Sequence, residues 1–153
     1  MSNFESRLAE LGITLPDAPA PAANYVPYVI NGSTVFISGQ ISVGPDGLVK
    51  GKLGDTFTVE DGQAAARLCA INLIAQLKSA CNGDLSRVKR VIRLGGFVNC
   101  TADFTDQPAV VNGASDLMVD VFGDIGRHAR AAVGSSSLPL GVAVEVDGIF
   151  EVE

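Results

Sequence analysis

Arg130 and Glu145 are the charged pair whose spacing stands out in this sequence. Two β-rich runs, residues 129–134 and 141–153, flank the turn residues 135–140. If these runs close as a hairpin with Gly134 opposite Gly141, Arg130 falls opposite Glu145, with Ala132 and Ala143 between them. A cation and an anion so placed form either a surface cross-strand ion pair, worth about 0–1 kcal/mol, or the lining of a binding crevice. Other chemistries find little support. The single histidine, His128, cannot build a His-rich zinc site, and the acidic residues show no metal-ligand spacing. No Gly-x-Ser-x-Gly elbow is present. Cys69, Cys81 and Cys100 lack a Cys-x-x-Cys pair, and two sit in an apolar helical pattern, so buried, reduced thiols are expected.

The elements that must position these residues follow from periodicity. Residues 3–12 read as a short helix with Phe4, Leu8 and Leu11 on one side. Residues 15–24 hold three prolines and read as an extended connector outside the core. Residues 26–31 and 34–38 form a hairpin around Asn31-Gly32, and a weaker strand is expected at 48–53. Residues 59–81 form the longest helix, with Ala66, Cys69, Ala70, Leu73 and Leu77 on one face and Asn82-Gly83 closing it. Ile71 and Ile74 make a second stripe that the first helix is a candidate to cover. Residues 88–100 read as a long strand bulged at Gly95-Gly96. A helix from about Asp106 to Phe122 follows, with Pro108 in its first turn.

In the last strand Val142, Val144, Val146, Phe150 and Val152 alternate with Ala143, Glu145, Asp147, Ile149 and Glu151, so the valine face must meet the helices. The result is one α+β domain over residues 1–153: a sheet with two main helices packed on one face, plus an N-terminal helix. Residues 1–24 are the helix and connector, and 25–153 the core. The other sheet face, too apolar to stay solvated and too polar for a monomer core, suits a subunit interface with Arg130 and Glu145 in a crevice between chains.

Composition narrows the function classes. Of 153 residues, 47% are apolar and 18% charged, which excludes disorder. Eleven Lys+Arg against 17 Asp+Glu give a net charge of −6, which argues against a phosphate-tracking nucleic-acid binder. No apolar run approaches the ~20 residues of a membrane-spanning helix, and the N-terminus lacks a signal pattern, so a cytoplasmic protein is expected.

Three stretches carry a family resemblance. They are Tyr25 followed by Val35-Phe36-Ile37-Ser38-Gly39-Gln40-Ile41, then Asp84-Leu85-Ser86-Arg87-Val88-Lys89 with Phe97-Val98 and Phe104, then Arg130-x7-Leu138-Pro139-x5-Glu145. Together they cover about residues 20–150, and the chain resembles the Rid (YjgF-like) family, also described as L-PSP endoribonuclease-like. The resemblance implies a chorismate-mutase-like fold and a homotrimer whose sheets form an inner barrel, with ligand clefts between subunits. It also implies hydrolysis of enamines or imines such as 2-aminoacrylate to a 2-keto acid and ammonia, without metal or cofactor. In that scheme Arg130 clamps the substrate carboxylate and Glu145 orients or activates water. Tyr25, Ser38 and Asn112 line the pocket, and Gly39 lets backbone approach the ligand. Ala132 stands where many deaminases carry Cys, and His128 where they carry Pro. Two other functions compete: a non-catalytic sensor of small carboxylates, using the same arginine, and an endoribonuclease or translation inhibitor, which the acidic charge opposes. The residues also have plainer roles. Tyr25 would anchor the connector, Ser38 would bond at a strand end, Asn112 would sit on a solvated helix face and His128 would begin a strand.

Overall fold

The computed structural model describes residues 3–20 and 23–153; residues 21 and 22 of the expected connector lie outside the described residues. The elements are α1 (Asn3–Glu10), β1 (Tyr28–Asn31), β2 (Thr34–Ile41), β3 (Val43–Gly44), β4 (Gly47–Leu48), α2 (Val59–Ala80), β5 (Val88–Asn99), α3 (Gln107–Phe122), β6 (Ala129–Ser135) and β7 (Val144–Val152). Five strands make one sheet in the order β1-β2-β7-β5-β6, and α2 and α3 pack on one face of it. The expected α+β architecture holds.

Local chemistry explains the helix ends. Thr58 and Asp61 form a reciprocal capping box, Thr58 Oγ accepting from the Asp61 N–H at 3.1 Å and Asp61 from the Thr58 N–H at 3.0 Å. After Ala80 the chain leaves the helix through Asn82 and Gly83, both at positive φ. The two long helices approach so closely that a Cβ on Gly113 would overlap the Gln63 backbone, and Gln63 Nε2 donates to the Ala109 carbonyl at 2.9 Å.

The core is the meeting of the β7 valine face with α2. Val144, Val146, Phe150, Leu73, Leu77, Val91, Leu94 and Val98 are all fully buried. Helix α1 docks mainly on α3, where Phe4 packs edge-on against Phe122 with ring centroids 4.9 Å apart and Arg7 Nε donates to the Asp120 carbonyl at 2.8 Å, and it also meets α2 through Glu5, 3.4 Å from Lys78 Nζ. Near Ile71 it is the segment after α1 that lies across α2, with Leu11, Ile13, Leu15 and Pro19 lining one cavity with it. Leu11 and Ile13 ahead of the connector and Leu15 within it pack against the core, and the connector's Pro19 carbonyl accepts from Gln76 Nε2 at 2.6 Å. Proline keeps this segment extended; its leucines and isoleucine make it part of the core boundary.

The expected C-terminal hairpin is absent. Strand β6 pairs in parallel with β5, Leu94 aligned with Arg130, while β7 lies between β2 and β5 and is antiparallel to both. Helix α3 supplies the crossover that parallel strands require, and its length carries β6 to the sheet edge beside β5. Arg130 is therefore not opposite Glu145; β5 separates them. Their faces differ too. Arg130 aligns with buried Leu94 and bonds to α3, whereas Glu145 aligns with Phe97 on the open face. Two smaller expectations also change. The irregularities of β5 fall between Val88 and Arg90 and between Val91 and Arg93, not at Gly95-Gly96. The strand expected at 48–53 shrinks to β4 plus single bridges at Lys50 and Leu53, because the segment turns to reach Val142, Phe57 and Cys100.

Phe150 is the largest fully buried side chain. Phe150→Ala should cost about 3–5 kcal/mol, read as a lower urea midpoint at unchanged m-value.

Candidate active site

The strict alternation of β7 puts Glu145 and Asp147 on the open face, each half-buried, while Val144 and Val146 face the helices. Glu145 itself pairs with Ile41; just beyond it, between the pairs Gln40–Val146 and Ile37–Gly148, the β2–β7 ladder breaks, and Ser38 and Gly39 occupy the break. The Ser38 N–H donates to the Pro27 carbonyl and its hydroxyl to the Val26 carbonyl, both at 2.9 Å. Gln40 Nε2 closes the break by donating to the Ser38 carbonyl at 2.8 Å. Gly39 leaves room for the Glu145 carboxylate against the strand, where a Cβ would overlap it and push the side chain to a new position.

This carboxylate opens into a cavity of about 590 Å³ lined by Tyr25, Gly39, Gln40, Ile41, Leu140 and Glu145. Leu140 is exposed on the rim at φ 61°, a left-handed conformation that side chains rarely adopt. Burial pushes the Glu145 carboxyl above the usual carboxylate range, and the neighbouring Asp147 charge adds to the shift. Asp147 is raised by burial as well, opposed by Arg93, whose Nη1 lies 3.8 Å from Oδ1. Among the described residues no cation pairs with Glu145.

Arg130 occupies the other half of the picture. From edge strand β6 its Nη1 donates to Asn112 Oδ1 at 2.9 Å and to Ser115 Oγ at 3.0 Å, and its Nη2 donates to the Pro108 carbonyl at 3.1 Å. All three acceptors are neutral groups of α3. Among the described residues no carboxylate pairs with the guanidinium, and two of its five N–H groups are left for another acceptor. Pro108 and Asn112 lie one turn apart, and Ser115 follows Asn112 by three, so one helix face presents all three oxygens.

The predicted site residues thus fall into two groups. Tyr25, Gly39 and Glu145 share the cavity, with Ser38 turned away into its backbone bonds; Arg130 and Asn112 meet at the sheet edge, with partly buried Ala132 further along β6. One chain does not bring the groups together. Sequence reasoning missed Ser115 and Leu140. The spacing of Ser115 from Asn112 could have revealed the first; nothing in the residues around 140 announced a positive φ.

Other candidates are set aside by their surroundings. A larger cavity of about 810 Å³ between the connector and α2 is mostly apolar, and none of the predicted site residues lines it. No cluster of three or more His, Cys, Asp or Glu among the described residues could hold a metal. All three cysteines are buried free thiols, as expected, and burial raises the Cys69 thiol well above its ordinary range, with Glu145 adding.

Comparison with known proteins agrees with the fold. A family model described as "YjgF/chorismate_mutase-like, putative endoribonuclease" matches residues 5–151, and the chain belongs to that family. Protein TCP17 of Trypanosoma cruzi is 52% identical over 151 residues, covering 96% of this chain and 92% of that protein. A 2-iminobutanoate/2-iminopropanoate deaminase of Dermatophagoides farinae is 28% identical over 143 residues, 92% of this chain and 95% of that one. Among solved structures, Atu1372 of Agrobacterium tumefaciens, of unknown function, is 49% identical with a TM-score of 0.92, over 99% of this chain and 93% of that one. E. coli TdcF with bound serine is 26% identical with a TM-score of 0.62, over 89% and 94% of the two chains.

The raised carboxyl of Glu145 carries a stability signature. A carboxyl whose folded pKa exceeds its unfolded value costs nothing below the ordinary carboxylate range and destabilises the fold as pH rises through the folded value. Glu145→Gln should therefore raise Tm at pH 7, with the gain vanishing below the ordinary carboxylate range, as measured by thermal denaturation across pH.

Proposed function

We propose that this protein hydrolyses enamines and imines of the 2-aminoacrylate class to 2-keto acids and ammonia. The sites would lie in clefts between the subunits of a cytoplasmic homotrimer, about 47 kDa from three 15.8 kDa chains. The observation that carries this reading is a pair of unmatched charges. Among the described residues Arg130 is held only by neutral oxygens and Glu145 stands in a cavity without a cation, and one chain keeps the two apart. A cleft between copies would join them. The open sheet face supports such packing: Val29, Phe36 and Val133 are exposed on it, and β6 presents an unpaired edge. The imine deaminase relative and the serine-bound TdcF support a small amino-acid-derived ligand.

The chemistry is undemanding. The substrate carboxylate takes the free N–H groups of Arg130 in a charge-assisted contact. Glu145, whose carboxyl is raised above the usual carboxylate range, accepts a proton from water as the water oxygen bonds to the carbon of the protonated imine and the C=N π pair passes to nitrogen; it then returns that proton to the nitrogen. The carbinolamine hydroxyl gives up its proton to Glu145 as the C=O bond forms, the C–N bond breaks, and the protonated nitrogen departs as ammonia. Tyr25 and Leu140 supply the apolar wall of the cavity.

Ammonia and keto-acid release from imines made in situ by an amino-acid oxidase tests this directly. Arg130→Ala should weaken pyruvate binding about ten- to a hundredfold, and Arg130→Lys should restore it only in part, since an ammonium lacks the planar fork. Glu145→Gln should keep or tighten pyruvate binding while abolishing hydrolysis. Wild-type turnover by Glu145→Gln would refute the mechanism. A wild-type protein that binds pyruvate yet never speeds hydrolysis would instead be a carboxylate sensor.

A further inference from the structure

His128 is the single histidine of the chain, and the clamp described above leaves it without a role. Both of its ring nitrogens are engaged. Nδ1 lies 2.6 Å from the Gly126 carbonyl oxygen, and Nε2 lies 2.8 Å from Ser115 Oγ. A carbonyl can only accept, so Nδ1 carries the proton, and Nε2 of the neutral ring is an acceptor. The Ser115 hydroxyl must then donate to Nε2. With its one hydrogen committed, Ser115 Oγ meets Arg130 Nη1 as an acceptor, at 3.0 Å. The bonds run in one direction, from Arg130 through Ser115 and His128 to the Gly126 carbonyl.

We propose that Ser115 and His128 are positioning residues that lock the Arg130 guanidinium for a ligand carboxylate, a role that rests on the proposed clamp. Asn112 and Ser115 together occupy both hydrogens of Nη1, which stops the planar group from turning in its plane. Ser115 can serve as this second stop only while its own hydrogen is directed elsewhere, and His128 directs it. Without His128 the hydroxyl is free to rotate and to point its hydrogen at the guanidinium.

The surroundings keep the ring in the required form. Burial lowers the His128 pKa from its ordinary value; the Gly126 carbonyl opposes this, and Arg130 and Arg90 add to it. The charged groups that act on the ring are Arg130, two residues on in β6, and Arg90 on β5, both cations, and the latter is tied to the Arg127 carbonyl at 2.6 Å. Neutral imidazole is therefore the state at pH 7. The same proximity makes His128 a reporter. A carboxylate on Arg130 offsets the charge that disfavours imidazolium, so ligand binding should raise the His128 pKa.

The test uses the full chain with pyruvate as probe. By calorimetry, Ser115→Ala and His128→Ala should each weaken pyruvate binding about five- to tenfold, the loss of one hydrogen bond in the clamp. Ser115→Thr, which keeps the hydroxyl, should bind within about twofold of wild type, and Ser115→Ala added to Arg130→Ala should cost nothing further. NMR titration of the single histidine gives a readout that needs no Ser115 variant: its pKa should rise on adding pyruvate, and should rise in Arg130→Ala without ligand. Wild-type affinity in Ser115→Ala, or an equal loss in the Arg130→Ala background, would overturn the relay while leaving the clamp standing. A His128 pKa indifferent to Arg130→Ala would overturn the relay regardless of ligand. Pyruvate binding unaffected by Arg130→Ala would instead refute the clamp.

Discussion

The position of β7 between β2 and β5 is the constraint on which the rest of the molecule depends. Its inward face, Val144, Val146, Phe150 and Val152, is buried against the helix layer, and the pleat then fixes where Glu145 and Asp147 point. A one-residue slip would send both carboxylates into the core and the valines into solvent. The ladder break in β2 is the complement of this arrangement. It releases Ser38 and Gly39 from pairing and leaves room, at a residue without a side chain, for a half-buried carboxylate.

Much of the architecture is legible in the residues because it is local. The turn at Asn82-Gly83, Pro108 in the first turn of α3 and the alternation of β7 each express a short-range rule, and each helix falls within two residues of its expected bounds. The strand order is not local. Strands β6 and β7 follow one another with a short link, and a hairpin is the default for such a pair. The crossover helix before β6 instead commits that strand to run parallel to β5, leaving the antiparallel slot between β2 and β5 for β7. A pairing rule applied to neighbours in sequence could not see this, and it misplaced Arg130 by one strand and one face.

The candidate site shows the same division. Glu145 and Gly39 were identifiable from the family spacing, and the close approach of the Glu145 carboxylate to Gly39, where a Cβ would displace it, gives that spacing a physical cause. Arg130 was identifiable as a residue but not as a geometry: its three neutral acceptors on α3 depend on how the edge strand docks against that helix. Charge is the common thread. Among the described residues Arg130 is a cation without an anion and Glu145 a carboxylate without a cation, each held by groups that leave its charge uncancelled.

Such complementary halves, kept apart within one chain, act together only if neighbouring copies supply them to each other. Mixing two inactive variants, Arg130→Ala and Glu145→Gln, in one refolded or co-expressed assembly tests this most directly. Random 1:1 mixing should restore roughly a quarter of wild-type imine hydrolysis, because one cleft in four pairs an intact arginine with an intact glutamate from different chains. Mixed assemblies as inactive as their parents, in a sample shown by mass to contain both chains, would contradict a site shared between subunits.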